Sequence, residues 1–247
     1  MDRLSYLGHS TTLLRIDGVS LLTDPALRAW IGPLRRRGAL PDRQLAAAVD
    51  AVLVSHLHRD HLDLRSLRRL PSSTPAVVPR GAGGVASKAL TDVVEVAASE
   101  AISIGTVTVT AVPAAHDGRR ARWGPRADAL GYVIAGGSRR VYFAGDTDLF
   151  DEMSELAPLD LALLPVWGWG PSLSAGHLDP AGAARALTLL RPRLAVPIHW
   201  GTFYPLGLRR LRPDRLSRPP LEFATLAAEL APEVEVRILK PGEMMSL

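Results

Sequence analysis

Apolar and polar positions along this chain fall into short blocks whose period shifts between two and about three and a half residues. "LSYLGHSTTLLRIDGVSLLTDPAL" (4–27) holds apolar runs on either side of Asp17-Gly18, a hairpin signal. "AVDAVLVSH" (48–56) reads as a short buried strand, and "LDLRSLRRL" (62–70) has helical spacing stopped by Pro71. "AVVP" then "GAGGVASKAL" reads as strand then helix. "ISIGTVTVTAVPAAH" (102–116) alternates as one antiparallel strand with an exposed face. "ALGYVIAGG" and "RRVYFAGDT" form a second hairpin.

The second half predicts a helix over "DLFDEMSELAP" (148–158), a strand over "LDLALLPV" and a helix over "LDPAGAARALTLL", with Asp179 as N-cap and Pro180 in its first position. "RLAVPIHW" (193–200) is a strand, "EFATLAAELA" (222–231) a helix and "VEVRIL" (234–239) a last strand, with a proline- and arginine-rich surface loop from Leu206 to Pro220. Strand-rich blocks followed by helices suit an α/β arrangement of sheets covered by helices rather than one doubly wound sheet. No linker or repeat interrupts the pattern, so residues 1–247 are expected to form a single domain.

Composition narrows the chemistry. The chain has no cysteine, which excludes disulfides, thiolate nucleophiles and thiolate-held metals. No apolar run approaches the ~18 residues of a membrane span, and the first ten residues lack a secretory pattern, so a cytoplasmic enzyme is the default expectation. Two of the 29 basic residues, Lys88 and Lys240, are lysine and the rest are arginine, with a formal charge of +4. So small an excess fits a general preference for arginine as well as it fits an anionic partner.

The seven histidines are the informative residues. Three lie in "HLHRDH" (56–61), straight after the run of apolar residues in the strand that His56 ends. In an extended strand end His56 and His58 point to the same side and can grip one ion. Asp60 and His61 follow on the turn and suit a second ion. So many titratable groups in so little space need a cation to offset repulsion and desolvation. Further donors must come from elsewhere; His116 and His199 each close a predicted strand and Asp146 lies just past one, as a site above a sheet edge requires.

"HLHRDH", "PAAH", "AGDT" and "PIHWGTF", in this order and spacing, resemble the metallo-β-lactamase superfamily of di-metal hydrolases. The likeness spans nearly the whole chain. "YLGHSTTLLRIDGVSLLTDP" and "GHLDPAGAARAL" resemble the subgroup that holds N-acyl-phosphatidylethanolamine phospholipase D and ascorbate-6-phosphate lactonase. The resemblance implies a four-layer αββα sandwich of two mixed sheets flanked by helices. It implies that His56, His58 and His116 bind one ion, that Asp60, His61 and His199 bind a second, and that Asp146 bridges them. Lactamases that use a thiolate ligand are excluded.

Two divalent ions ~3.5–4 Å apart share a water and bring its pKa toward neutrality, giving a bridging hydroxide that Asp60 can orient. Two ions less Asp60, Asp146 and the hydroxide leave a net charge near +1, suited to a phosphate ester or an oxyanion. The expected activity is hydrolysis of a small anionic ester, a phosphodiester first. The alternatives are a lactonase of a phosphorylated sugar lactone and a metal-binding relative without catalysis. Zn²⁺ is the expected ion, with Mn²⁺ or Fe²⁺ compatible with nitrogen and oxygen donors. Nucleic acid is not the expected partner; peripheral membrane contact is compatible with the subgroup.

Four features stay open between two readings each. His177 is a catalytic group acting on the leaving oxygen or a substrate phosphate, or a helix-entry histidine bonded to backbone. His9 packs behind the ligands or is one itself. Trp167 and Trp169 line the site or fill the core. Arg119, Arg120, Arg122 and Arg126 hold an anionic head group or form a solvated loop.

Overall fold

The computed structural model describes residues 1–42, 48–121, 123–168, 175–207 and 213–247. The first part runs through strands β1 (Arg3–Gly8), β2 (Thr11–Ile16), β3 (Val19–Thr23), the short β4 (Trp30–Ile31) and β5 (Leu34–Arg36), then β6 (Ala51–Leu53), helix α1 (Leu64–Leu67), β7 (Ala76–Pro79), helix α2 (Gly83–Ala86) and β8 (Val93–Val96). The second part begins with β9 (Ala101–Ile104), β10 (Val107–Pro113), β11 (Leu130–Gly136) and β12 (Arg139–Phe143). It continues through β13 (Leu159–Pro165), α3 (Pro180–Leu190), β14 (Pro192–Ile198), β15 (Phe203–Pro205), α4 (Arg218–Leu230), β16 (Glu235–Val236) and β17 (Met244–Ser246).

These strands make two large mixed sheets, one in the order β17-β1-β2-β3-β6-β7-β8 and one in the order β16-β14-β13-β12-β11-β10-β9, with a small β15-β5-β4 sheet beside them. Strand periodicity explains the layering. Leu14, Leu21, Leu53 and Val77 of the first sheet join a core shared with Val109, Tyr132, Ile134 and Val141 of the second. Their neighbours Leu13, Leu22, Val52, Val54, Ala76 and Val78 point the other way and pack with Leu67 of α1 and Val85 and Ala86 of α2. Successive side chains leave opposite faces of a strand, so apolar runs in β3, β6 and β7 serve two cores at once. Each such leucine or valine contributes roughly 1.5–3 kcal/mol when fully buried. Helices α3 and α4 pack on each other, and α3 also meets β13. The result is the expected helix–sheet–sheet–helix sandwich.

The structure corrects several boundaries. The segment expected as one strand over 102–116 is the β9–β10 hairpin, turned at Gly105 with φ +57°; an unbroken Val/Thr alternation hid the glycine that reverses the chain. The expected helix over 148–158 is a six-residue 3-10 turn, Asp151–Leu156. Helix α4 starts at Arg218, inside the expected surface loop, with Pro219 and Pro220 in its first turn where no backbone N–H is needed. The last predicted strand shrinks to two residues, and β17 follows it to pair antiparallel with β1, Leu4 opposite Met245. Among the described residues no helix is long and apolar enough to cross a membrane.

Candidate metal centre

The seven residues expected as ligands come together. His56 lies three residues beyond β6, with His58, Asp60 and His61 on the turn that follows; His116 and Asp146 each lie three beyond β10 and β12, and His199 directly follows β14. Every contributing strand ends at the same edge of the sandwich. The backbone there is bent to fit: His9 and His199 take left-handed φ values of 61° and 62°, and the amide of His199 donates to the carbonyl of His9 at 2.8 Å. Gly145, at φ +62°, lets the Asp146 turn approach the histidine loop, because a Cβ there would stand 2.5 Å from that of Ser55.

Outward hydrogen bonds fix the tautomers. His116 Nδ1 donates to the carbonyl of Gly176 at 2.7 Å, His199 Nδ1 to that of Trp167 at 2.5 Å, and His61 Nδ1 to Asp24 Oδ2 at 2.7 Å. Ser55 Oγ gives its proton to Asp24 at 2.6 Å, so it accepts from His56 Nδ1 at 2.9 Å. In the rings of His56, His116 and His199 Nε2 is therefore the bare acceptor, and it faces inward, while His61 turns its Nε2 toward Asp146. His58 Nδ1 lies 2.9 Å from His56 Nε2 and 3.1 Å from His116 Nε2. One proton on His58 can satisfy only one of those contacts, so lone pairs converge without enough hydrogen.

Across the centre, Asp146 Oδ2 lies 3.2 Å from His61 Nε2 and 3.4 Å from His199 Nε2, while Asp60 Oδ2 lies 3.6 Å and 3.9 Å from the same two atoms. His9 Nε2 donates to Asp60 Oδ2 at 2.9 Å. Asp146 also joins a donor group with His56 and His61, and another with His116 and His177. It stands between the trio His56, His58, His116 and the set Asp60, His61, His199.

Burial lowers the pKa of His9, His56, His58 and His116, and takes that of His199 down to about 3, leaving these rings neutral and able to donate lone pairs. Burial acts on His61 in the same sense, yet Asp146, Asp24 and Asp60 outweigh it and hold its pKa well above the usual value. Burial raises Asp60 and Asp146, but the imidazoles around them prevail, and both carboxyls stay well below their ordinary range. His61 Nε2 and Asp146 Oδ1 are buried and make no hydrogen bond among the described residues. The orphaned Asp146 oxygen, the lone pairs converging on His58 and an all-nitrogen-and-oxygen donor set fit bound divalent cations.

The remaining residues separate. His177 Nε2 stands 3.7 Å from Asp146 Oδ2, its side chain 21% exposed, next to His116. Trp167 turns its carbonyl to His199 and buries its indole on Tyr204, ring centroids 5.6 Å apart, so its ring belongs to the core. Trp169 and Arg122 lie outside the described residues. Arg119 is paired with Asp117 on the surface, Nη2 to Oδ2 2.5 Å. Arg120 Nη1 instead donates to the carbonyls of Leu57 and Leu62 at 2.9 and 3.1 Å, and Arg126 lines an open hollow beside His116. The four arginines thus do not form one clamp. The sequence reading missed Asp24, fully buried under His61 and Ser55; a charged residue between an apolar strand and Pro25 was the available signal.

Residues 20–200 match the model of the β-lactamase superfamily domain. A UPF0173 metal-dependent hydrolase of Methanopyrus kandleri is 34% identical over 98% of both chains. The N-acyl-phosphatidylethanolamine-hydrolyzing phospholipase D 1 of Caenorhabditis elegans is 31% identical over 82% of this chain and 64% of its own length. A metallo hydrolase from the archaeon Ignicoccus hospitalis has the same fold, with a TM-score of 0.75 at 25% identity over 99% of this chain and 97% of that one.

Proposed function

The chain belongs to the β-lactamase superfamily and is a metal-dependent hydrolase, and from that premise we propose that it cleaves a small anionic ester, a phosphodiester first, at a two-ion centre. His56, His58 and His116 would hold one ion and Asp60, His61 and His199 the other. The observation that carries this reading is the position of Asp146, within reach of both sets. Zn²⁺ suits the donors, and Mn²⁺ or Fe²⁺ are compatible with them. The ions, when bound, supply Lewis-acid charge that acidifies water and offsets negative charge on the oxygens of the reacting group.

The chain's own groups do the rest. His9 holds the Asp60 carboxylate by Oδ2, leaving Oδ1 to accept a hydrogen bond from the attacking water and aim it. Asp24 and the carbonyls of Gly176 and Trp167 keep three imidazoles turned with Nε2 inward. His177, partly exposed beside His116, donates a proton to the departing oxygen or grips a phosphate oxygen. The phosphodiester reading is supported by the relative whose name gives N-acyl-phosphatidylethanolamine as its substrate. It receives no support from a basic loop, since Arg119 is already paired.

Hydrolysis of bis-p-nitrophenyl phosphate by protein loaded with Zn²⁺ or Mn²⁺, beside a set of lactones, tests this. Phosphodiester turnover that disappears in Asp146→Asn supports it. Turnover of lactones alone replaces it with the lactonase reading, and two bound ions without turnover of any ester identify a binding protein.

A further inference from the structure

Arg120, turned away from the expected substrate loop, belongs to a second feature. Arg28, Arg59, Arg65, Arg68 and Arg120 line one cleft of about 450 Å³ that holds a single carboxylate, Asp63, and none of the seven proposed ligands. Five guanidiniums against one carboxylate leave the lining four positive charges in excess. Asp63 is itself committed: Arg28 grips it through Nε at 2.7 Å and Nη2 at 3.3 Å, and it accepts from the Ser66 amide and hydroxyl. Arg59 and Arg65 make no hydrogen bond or ion pair among the described residues. Arg120 is half-buried and held by backbone carbonyls, and after burial the like charge of Arg59 is what most lowers its pKa. Beyond Asp63, which Arg28 holds, no other carboxylate among the described residues lines the cleft to offset the remaining cations.

We propose that this cleft is a second binding site, separate from the metal cluster, for an anion carrying a phosphate group. Guanidinium forks match phosphate oxygens two at a time, and a phosphomonoester with close to two charges suits the excess better than a lone carboxylate. The volume lies within the ordinary range for small-ligand sites. At the rim Trp30 is 44% exposed, with Arg35 over its ring at 5.4 Å, and offers a flat apolar surface to the rest of the ligand. Arg59 sits between His58 and Asp60, so an anion bound here tethers the loop that carries four of the proposed ligands. The phosphate can belong to a soluble ester or to a lipid head group.

Titration calorimetry of the metal-loaded protein with inorganic phosphate at low salt tests the site, comparing the native chain with Arg65→Glu/Arg68→Glu and, separately, Arg59→Gln. Both variants should weaken phosphate binding about tenfold or more and flatten its salt dependence, with metal content unchanged. Co-sedimentation with phosphatidylcholine vesicles, alone or mixed with phosphatidic acid, gives the source. Capture by phosphatidic acid that the variants lose assigns a lipid head group, and phosphate binding without capture assigns a soluble ester. Equal phosphate affinity in native and variant proteins places the anion at the metal cluster and overturns the proposal, as does the absence of both binding and capture. Arg59→Gln alone decides if the double reversal does not fold.

Discussion

Asp24 accepts the Nδ1 proton of His61 at 2.7 Å, and neither side chain has any exposure to solvent. A carboxylate so placed fixes the ring's orientation and raises the basicity of the nitrogen facing the centre. Asp24→Asn keeps the shape but sets an amide against a donor. It should weaken binding of the ion assigned to Asp60, His61 and His199 by about 10–100-fold, read by chelator competition. Unchanged affinity at both ions would remove Asp24 from the site.

His177 Nε2 stands 3.7 Å from Asp146 Oδ2, and on the proposed mechanism it acts on a substrate held there. His177→Ala should cut phosphodiester turnover by roughly 10²–10⁴ while two ions remain bound. Loss of an ion in that variant would make His177 a ligand instead.

Gly145 admits the Asp146 turn only because it has no side chain. Gly145→Ala places a Cβ against Ser55 in a left-handed backbone, and should cost about 1–3 kcal/mol of stability. Denaturant unfolding measures the loss, and metal content should fall with it. A variant as stable as the native protein would show that the turn can move aside.

Acid should destabilise the metal-free protein. Burial lowers the pKa of His9, His56, His58, His116 and His199. The unfolded chain, with these groups near ~6.5, therefore binds more protons than the folded one below that pH, and stability falls as pH falls. Asp60 and Asp146, held low by surrounding imidazoles, add the same sign below ~4. His61 opposes: its pKa is raised, so its contribution is present below ~6.5 and lost as pH climbs through the folded value. Five rings against one set the direction. Melting temperatures of chelator-treated protein should drop between about pH 7.5 and about pH 5; a flat or rising profile would contradict this.

The cluster was legible in the sequence because its donors are rare residue types sitting at strand ends, and strand ends are marked by a change of period. "HLHRDH" after an apolar run needed no tertiary information, and neither did Asp146 after "VYFAG". What stayed hidden depended on contacts between distant segments. The pairing of Asp24 with His61, 37 residues apart, and the division of Arg119 and Arg120 between different partners leave no periodic trace. The two readings of Trp167 were separated by its stacking on Tyr204. The boundaries that failed did so for local reasons: Gly105 reverses a chain whose alternation continues through it, and two prolines open a helix where a loop was expected.

Strands β1–β8 and the turns after them carry His9, Asp24 and the 56–61 loop, while β9–β14 carry His116, Asp146 and His199. On the proposed assignment each ion draws ligands from both sheets, so neither half of the chain alone can complete a coordination shell. Metal capture then waits on the docking of the two halves and becomes a late event in folding. Once bound, the ions would rivet the sheets together along one edge, so their escape should be the slow step that limits unfolding.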